Sequence, residues 1–160
     1  MVNERLIEIY GNPDADNNGL PDLKWESQNI VRITPPYRMF WSWNSLPVKT
    51  ISIHRKCADT LEEALTAVGK RYTAQERAWY GLDQCAGGYN FRPQRTNASK
   101  LSFHAFGAAI DLAPLQNPQG KRYDESQRMM PREVIAIFKG VGWSSGAFWG
   151  LPDSMHFQKI

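Results

Sequence analysis

Histidine and cysteine are scarce in this chain: three and two, respectively, among 160 residues. Cys57 and Cys85 show no C-x-x-C spacing and no neighbouring histidine, which excludes a zinc ribbon or knuckle. Two buried free thiols are expected, with a disulfide open only in an oxidising compartment. No apolar run approaches the ~18 residues of a membrane-spanning helix. Met1-Val2-Asn3-Glu4-Arg5 lacks the basic start and apolar stretch of a signal peptide, so synthesis in the cytoplasm without a signal peptide is expected. A strong charge bias is missing too. Nineteen lysines and arginines against sixteen acids leave a net charge of +3, too mild to argue more than weak attraction to an anionic polymer. The basic residues are dispersed, without a basic helix or aromatic-basic repeat, which argues against nucleic acid as a partner.

What is present is an ordinary globular composition, with 42% hydrophobic and 22% charged residues, and this excludes the disordered classes. The length fits one domain with a sizeable core. The expectation is a single domain over residues 1–160, monomeric, with 1–48 as an N-terminal extension packed on a core of 49–160. No internal repeat or interdomain linker interrupts it. Local patterns predict an α+β fold, a small antiparallel sheet with flanking helices. Asn29 to Ile33 and Lys49 to His54 read as strands. Thr60 with Glu63 reads as a capping box for a helix bearing Leu61, Ala64, Leu65, Val68 and Tyr72 at helical spacing. Thr73 with Glu76 starts a shorter helix through Tyr80. Leu82 to Arg92 reads as a strand kinked at Gly87-Gly88, and Pro93 to Lys100 as a polar loop across the site entrance. Pro114 to Met130 reads as loop, and Pro131 starts a helix over 132–139 that Gly140 and Gly142 stop.

Two of the three histidines fall in short chemical patterns. Ser102-Phe103-His104-Ala105-Phe106-Gly107-Ala108-Ala109-Ile110-Asp111 is followed, near the C-terminus, by Asp153-Ser154-Met155-His156-Phe157. Two imidazoles and a carboxylate are a donor set that zinc accepts, and hydrolytic zinc sites keep three protein ligands and one open vertex. There a water loses its proton near neutral pH. His104 and Asp111 are seven positions apart, unlike the helical pair of an H-E-x-x-H protease. A turn over 102–107, reversed at Gly107, would feed a strand over 108–112 that carries Asp111, and an adjacent closing strand, Met155 to Gln158, would carry His156. Asp111 sits in an apolar run, where an unpaired carboxylate is costly without a cation. Asp153 is placed to serve as the base. His54 belongs to no such pattern and reads as structural.

The paired motifs S-x-H-x-x-G-x-A-x-D and D-x-M-H-F resemble the zinc peptidases of peptidoglycan. That group includes D-alanyl-D-alanine carboxypeptidases, vancomycin-resistance D,D-peptidases, phage L-alanyl-D-glutamate endolysins and the hedgehog signalling domain. The resemblance extends through Gly87-Gly88-Tyr89-Asn90-Phe91-Arg92, Asn117-Pro118 and Gly142-Trp143, covering roughly residues 50 to 160. It implies a hedgehog/D,D-peptidase-like fold and zinc ligands His104, Asp111 and His156. It implies Asp153 as acid/base and Arg92 as the cation holding a substrate carbonyl or carboxylate, with Ser102 hydrogen-bonding nearby. Many relatives place the arginine directly after the Gly-Tyr pair, whereas Asn90 and Phe91 intervene here. Arg92 is preferred, with Arg95 as the other candidate. The implied partner is a peptidoglycan stem peptide, reached in the periplasm or outside the cell after release or delivery. The aspartate in D-x-M-H-F resembles the endolysin-type L-alanyl-D-glutamate endopeptidases. A D-alanyl-D-alanine carboxypeptidase is the near alternative, and a non-catalytic, zinc-containing hedgehog-like binding module the alternative of another class.

Two further features complete the reading. Asp14-Ala15-Asp16-Asn17-Asn18-Gly19 copies the first half of a calcium-binding loop, with Asp14, Asp16 and Asn18 as Ca2+ candidates. Trp25 stands where the bidentate glutamate belongs, and an Asx-rich turn is the favoured account. Phe148 and Trp149, in a glycine-flanked loop before Asp153, are placed to wall a substrate cleft.

Overall fold

The computed structural model describes residues 2–160. In chain order its elements are α1 (Val2–Tyr10), α2 (Leu23–Asn29), β1 (Ile30–Ile33), β2 (Phe40–Trp41), β3 (Ile51–His54), α3 (Arg55–Arg71), α4 (Ala74–Tyr80), β4 (Gln84–Gly87), β5 (Ala109–Leu112), α5 (Arg132–Gly140), β6 (Trp143–Gly146) and β7 (Asp153–Lys159). Short 3-10 turns occupy Phe103–Phe106 and Glu125–Gln127. The strands form a two-stranded antiparallel ribbon, β1-β3, and a five-stranded sheet in the order β2-β4-β5-β7-β6. Every pairing in the larger sheet is antiparallel except the edge pair β2-β4. The architecture is therefore the expected α+β, with one parallel pair at its margin.

The apolar stripe of α3 explains the packing. Leu61, Ala64, Leu65 and Val68 are fully buried, and α3 lies against β1, β3 and α5. On α5, Val134 and Phe138 turn inward, one helical turn apart. Phe138 stacks on Phe157 of β7 with ring centroids 4.1 Å apart and meets Trp143 of β6 edge-on. Burying such large side chains from three elements in one cluster is the main force fixing the sheet against the helices.

The sequence-based start of α3 is corrected. The helix begins at Arg55, because β3 runs straight into it and the His54 ring nitrogen Nδ1 accepts from the Lys56 amide at 3.0 Å. Thr60 lies in the second turn, where its hydroxyl receives Trp143 Nε1 and Lys159 Nζ at 3.0 and 2.8 Å. A Thr and a Glu three apart are equally compatible with a helix interior, so that signature alone did not fix the boundary. The second box is real: Glu76 N donates to Thr73 Oγ1 and Thr73 N to the Glu76 carboxylate. The strand read over 82–92 contracts to Gln84–Gly87. It ends where Gly88 presses on β3, close enough that a Cβ would lie 2.4 Å from the Ser52 carbonyl oxygen.

The N-terminal segment contains two helices that its weak periodicity did not announce. Asp22 caps α2, accepting from Lys24 N and Trp25 N. Trp25 Nε1 donates to the Tyr10 carbonyl, and the Tyr10 hydroxyl donates to the Lys159 carbonyl. The loop 14–19 closes on itself: the Asp14 carboxylate accepts from Asn18 N and Gly19 N, and Asn18 Oδ1 accepts from Leu20 N. This is the Asx-type geometry of the favoured reading. Cys57 and Cys85 are buried and free.

Candidate metal centre and active site

Two devices bring the histidines and Asp111 together. The first is the turn after Ser102. Ser102 Oγ accepts from Ala105 N at 3.3 Å, capping the 3-10 turn, and Gly107 ends it at φ +64°. A Cβ at Gly107 would lie 2.7 Å from the His54 amide nitrogen, so both the backbone angle and the space require glycine. His104 is thereby buried, with Nδ1 2.7 Å from the Gly88 carbonyl oxygen. Donation from Nδ1 leaves the Nε2 lone pair for a ligand, the usual way an outer hydrogen bond sets the tautomer of a metal-binding histidine.

The second device is strand register. Asp111 of β5 stands directly opposite His156 of β7. Ile110 and Leu112 are fully buried in the core, so alternation turns Asp111 to the other face. His156 Nδ1 lies 2.9 Å from Asp111 Oδ1, and His104 Nε2 lies 3.2 Å from Asp111 Oδ2. One donor atom from each of the three residues lies within 4.8 Å of the others, and this is the single such histidine, cysteine or acid trio among the described residues.

The unmet polar groups test whether an ion fits. Despite its nearness to Asp111, His104 Nε2 is buried and lacks a partner with hydrogen-bond geometry. So does Oδ1 of Asp153, whose Oδ2 accepts from Gln119 Nε2 at 3.1 Å. A buried lone pair without a donor is costly. A cation between His104, Asp111 and His156 satisfies the first orphan directly, and a water beside it satisfies the second. The donor set is one that zinc accepts.

Electrostatics point the same way. Burial drives the Asp111 carboxyl upward, but the two imidazoles beside it, His104 and His156, outweigh it and hold the group far below the usual carboxylate range. Burial pulls His156 down, yet the Asp111 carboxylate and a contact with Gln158 leave it above its ordinary value. Asp153 is raised, chiefly by burial and also by the Asp111 charge. Burial lowers Arg92, with repulsion from Arg95 in the same direction.

These groups line a groove of about 340 Å3 that also includes Arg92, Ser102 and Trp149. Trp149 forms one wall, its ring 5.5 Å from that of His156. Phe148 instead packs edge-on against Tyr123, and the guanidinium of Arg132 lies 5.8 Å from its ring centre. The structure thus brings His104, Asp111, His156, Asp153, Arg92 and Ser102 into one place, along with Arg95, and leaves Phe148 outside. His54 is buried away from the groove, against Tyr10 and Trp25.

Residues 96–159 match the family described as D-alanyl-D-alanine carboxypeptidase. The similarity covers 64 of the 160 residues. The matched stretch contains the whole His104, Asp111 and His156 cluster, so the part of the chain that is similar to this family is the part that carries the metallopeptidase-like metal site. No curated protein and no solved structure gives a significant match to the chain.

Sequence reasoning missed two residues that support this site. Gln119 holds one oxygen of Asp153, and Gln158 places Oε1 3.0 Å from His156 Nε2. Gln158 follows His156 by two positions on one strand, and that period was the available signal. Accepting from Nε2 keeps the Nδ1 lone pair turned toward the cluster. Gln158→Met is expected to lower metal affinity by about 10–100-fold, measured by competition with a chromogenic chelator.

Proposed function

We propose that the protein is a zinc-dependent hydrolase of peptidoglycan stem peptides, cutting the bond between L-alanine and D-glutamate in the manner of an endolysin. The observation that carries this reading is that two grooves meet at the metal cluster, sharing Arg92, Arg95, His104 and Asp111, so that a substrate chain could be held beyond the cluster in each. An endopeptidase must hold substrate on both sides of the scissile bond, whereas a carboxypeptidase needs room for only a terminal residue on one side. Asp153, an aspartate in the D-x-M-H-F motif, adds the resemblance to endolysin-type enzymes.

His104 Nε2, Asp111 and His156 Nδ1 would hold the zinc. When bound, the ion supplies Lewis acidity toward the scissile carbonyl and the attacking water. Asp153, half-buried beside the cluster, accepts the proton that the water gives up and passes it to the leaving amine. Gln119 holds one oxygen of the Asp153 carboxylate and leaves the other without a protein partner. Arg92, with Arg95 beside it, pairs with a substrate carboxylate, and Ser102 can donate its hydroxyl proton while still capping the His104 turn. Trp149 excludes water from one wall. In this proposal the enzyme meets its substrate in the periplasm or outside the cell, after release or delivery.

The family's description favours a second reading, release of terminal D-alanine. Mass spectrometry of peptidoglycan digested by the zinc-loaded protein separates the two. New L-alanine C-termini are the expected result. Free D-alanine would replace the endopeptidase by the carboxypeptidase, and no new ends would overturn both.

A further inference from the structure

Beyond Arg92 and Asp111, the second groove, of about 480 Å3, runs to Trp41 and Trp43. The two indoles are stacked, with centroids 4.7 Å apart and planes 20° from parallel. Trp43 is 63% exposed, so this face is not explained by core packing. Thr50, Ser52 and Asn90 line the same groove. A flat aromatic face beside hydroxyl and amide groups complements a pyranose ring, whose C–H face packs on the indole while its hydroxyl and acetamido groups find polar partners. We infer that the Trp41–Trp43 shelf is a subsite for the N-acetylmuramoyl ring that bears the stem peptide.

Distance supports this occupant. β2 lies two places from β5 in the sheet, which sets the shelf about 10 Å from the strand of Asp111 at ~4.8 Å per strand. This inference rests on the L-alanyl-D-glutamate reading. For that bond, one alanine and the lactyl ether separate the scissile carbonyl from the sugar. Together they span about 7 Å at 3.3–3.6 Å per residue, and the ring lies just beyond. A D-alanyl-D-alanine bond would interpose three more residues, on the order of 10 Å further, and carry the ring past the shelf.

The test compares two substrates with the zinc-loaded protein: a disaccharide-pentapeptide, N-acetylglucosaminyl-N-acetylmuramoyl-linked, and the same pentapeptide N-acylated without sugar. Its readout is the ratio of their kcat/KM values. The sugar-bearing substrate is expected to be favoured about tenfold, the size aromatic stacking supplies. Trp43→Ala should bring the ratio near one, and Trp43→Phe should keep most of it. A ratio near one in the unmutated protein overturns the subsite without reference to any variant, as does an undiminished ratio in Trp43→Ala. Product masses from the same digests judge the bond assignment separately. Cleavage after L-alanine with no sugar preference defeats the subsite alone, whereas release of D-alanine defeats the endopeptidase reading and this inference with it.

Discussion

Replacing Asp153 by alanine is expected to lower kcat by about 10²–10⁴-fold while the protein still binds about one zinc per chain. The two halves of this expectation come from different atoms. Asp153 sits at the start of β7, outside the trio whose donor atoms converge. Its loss therefore leaves His104, Asp111 and His156 in register. What disappears is, among the described residues, the one carboxylate oxygen that is buried, unpartnered and beside the cluster. Burial raises its proton affinity, which suits a group that must take a proton and return it within one turnover. Gln119→Leu is a milder version, since it frees the carboxylate without removing it. Metal content by elemental analysis, alongside turnover of a stem peptide, checks the result. Full turnover in Asp153→Ala would remove this residue from the mechanism, and loss of zinc would make it a ligand instead.

The pattern of residues that were and were not legible follows from range. His104 and Asp111 were readable because a tight glycine turn and a short strand are local, and chemistry-bearing residue types in an apolar run are conspicuous. The direct pairing of Asp111 with His156 is a register between strands 45 positions apart; a closing strand was legible, but its partner residue was not. The helix over 74–80 announced itself through a reciprocal cap, while the start of α3 was masked by a strand feeding directly into it. Gln119 escaped notice because a neutral amide has no chemical signature until folding places it beside Asp153. The short strands β2 and β6 are specified more by their neighbours than by their own sequences, as is usual for β-structure.

Asp111→Ala is expected to cost more than about 100-fold in zinc affinity, beyond what loss of an outer-shell partner costs, and to abolish turnover. The carboxylate contacts both imidazoles, so its removal takes away one donor and the electrostatic anchor of two others. The pH dependence distinguishes this from simple disorder. In the metal-free protein the pKa of His156 is raised above the ordinary histidine value near 6.5 because its protonated form pairs with Asp111. That stabilisation is complete below the ordinary value and is lost as pH rises through the raised one. Zinc needs the neutral ring, so binding expels the proton. Affinity should therefore climb with pH until the raised pKa of His156 is passed and level off once the ring is neutral, while the chelated protein loses thermal stability as pH rises from the ordinary value through the raised one. In Asp111→Ala, burial acts on His156 against only the Gln158 contact and the Asp153 charge, its pKa falls, and the residual affinity should level off at lower pH than in the unmutated protein. Chelator competition across a pH series measures both curves, and coincident plateaus would show that Asp111 does not hold the His156 proton.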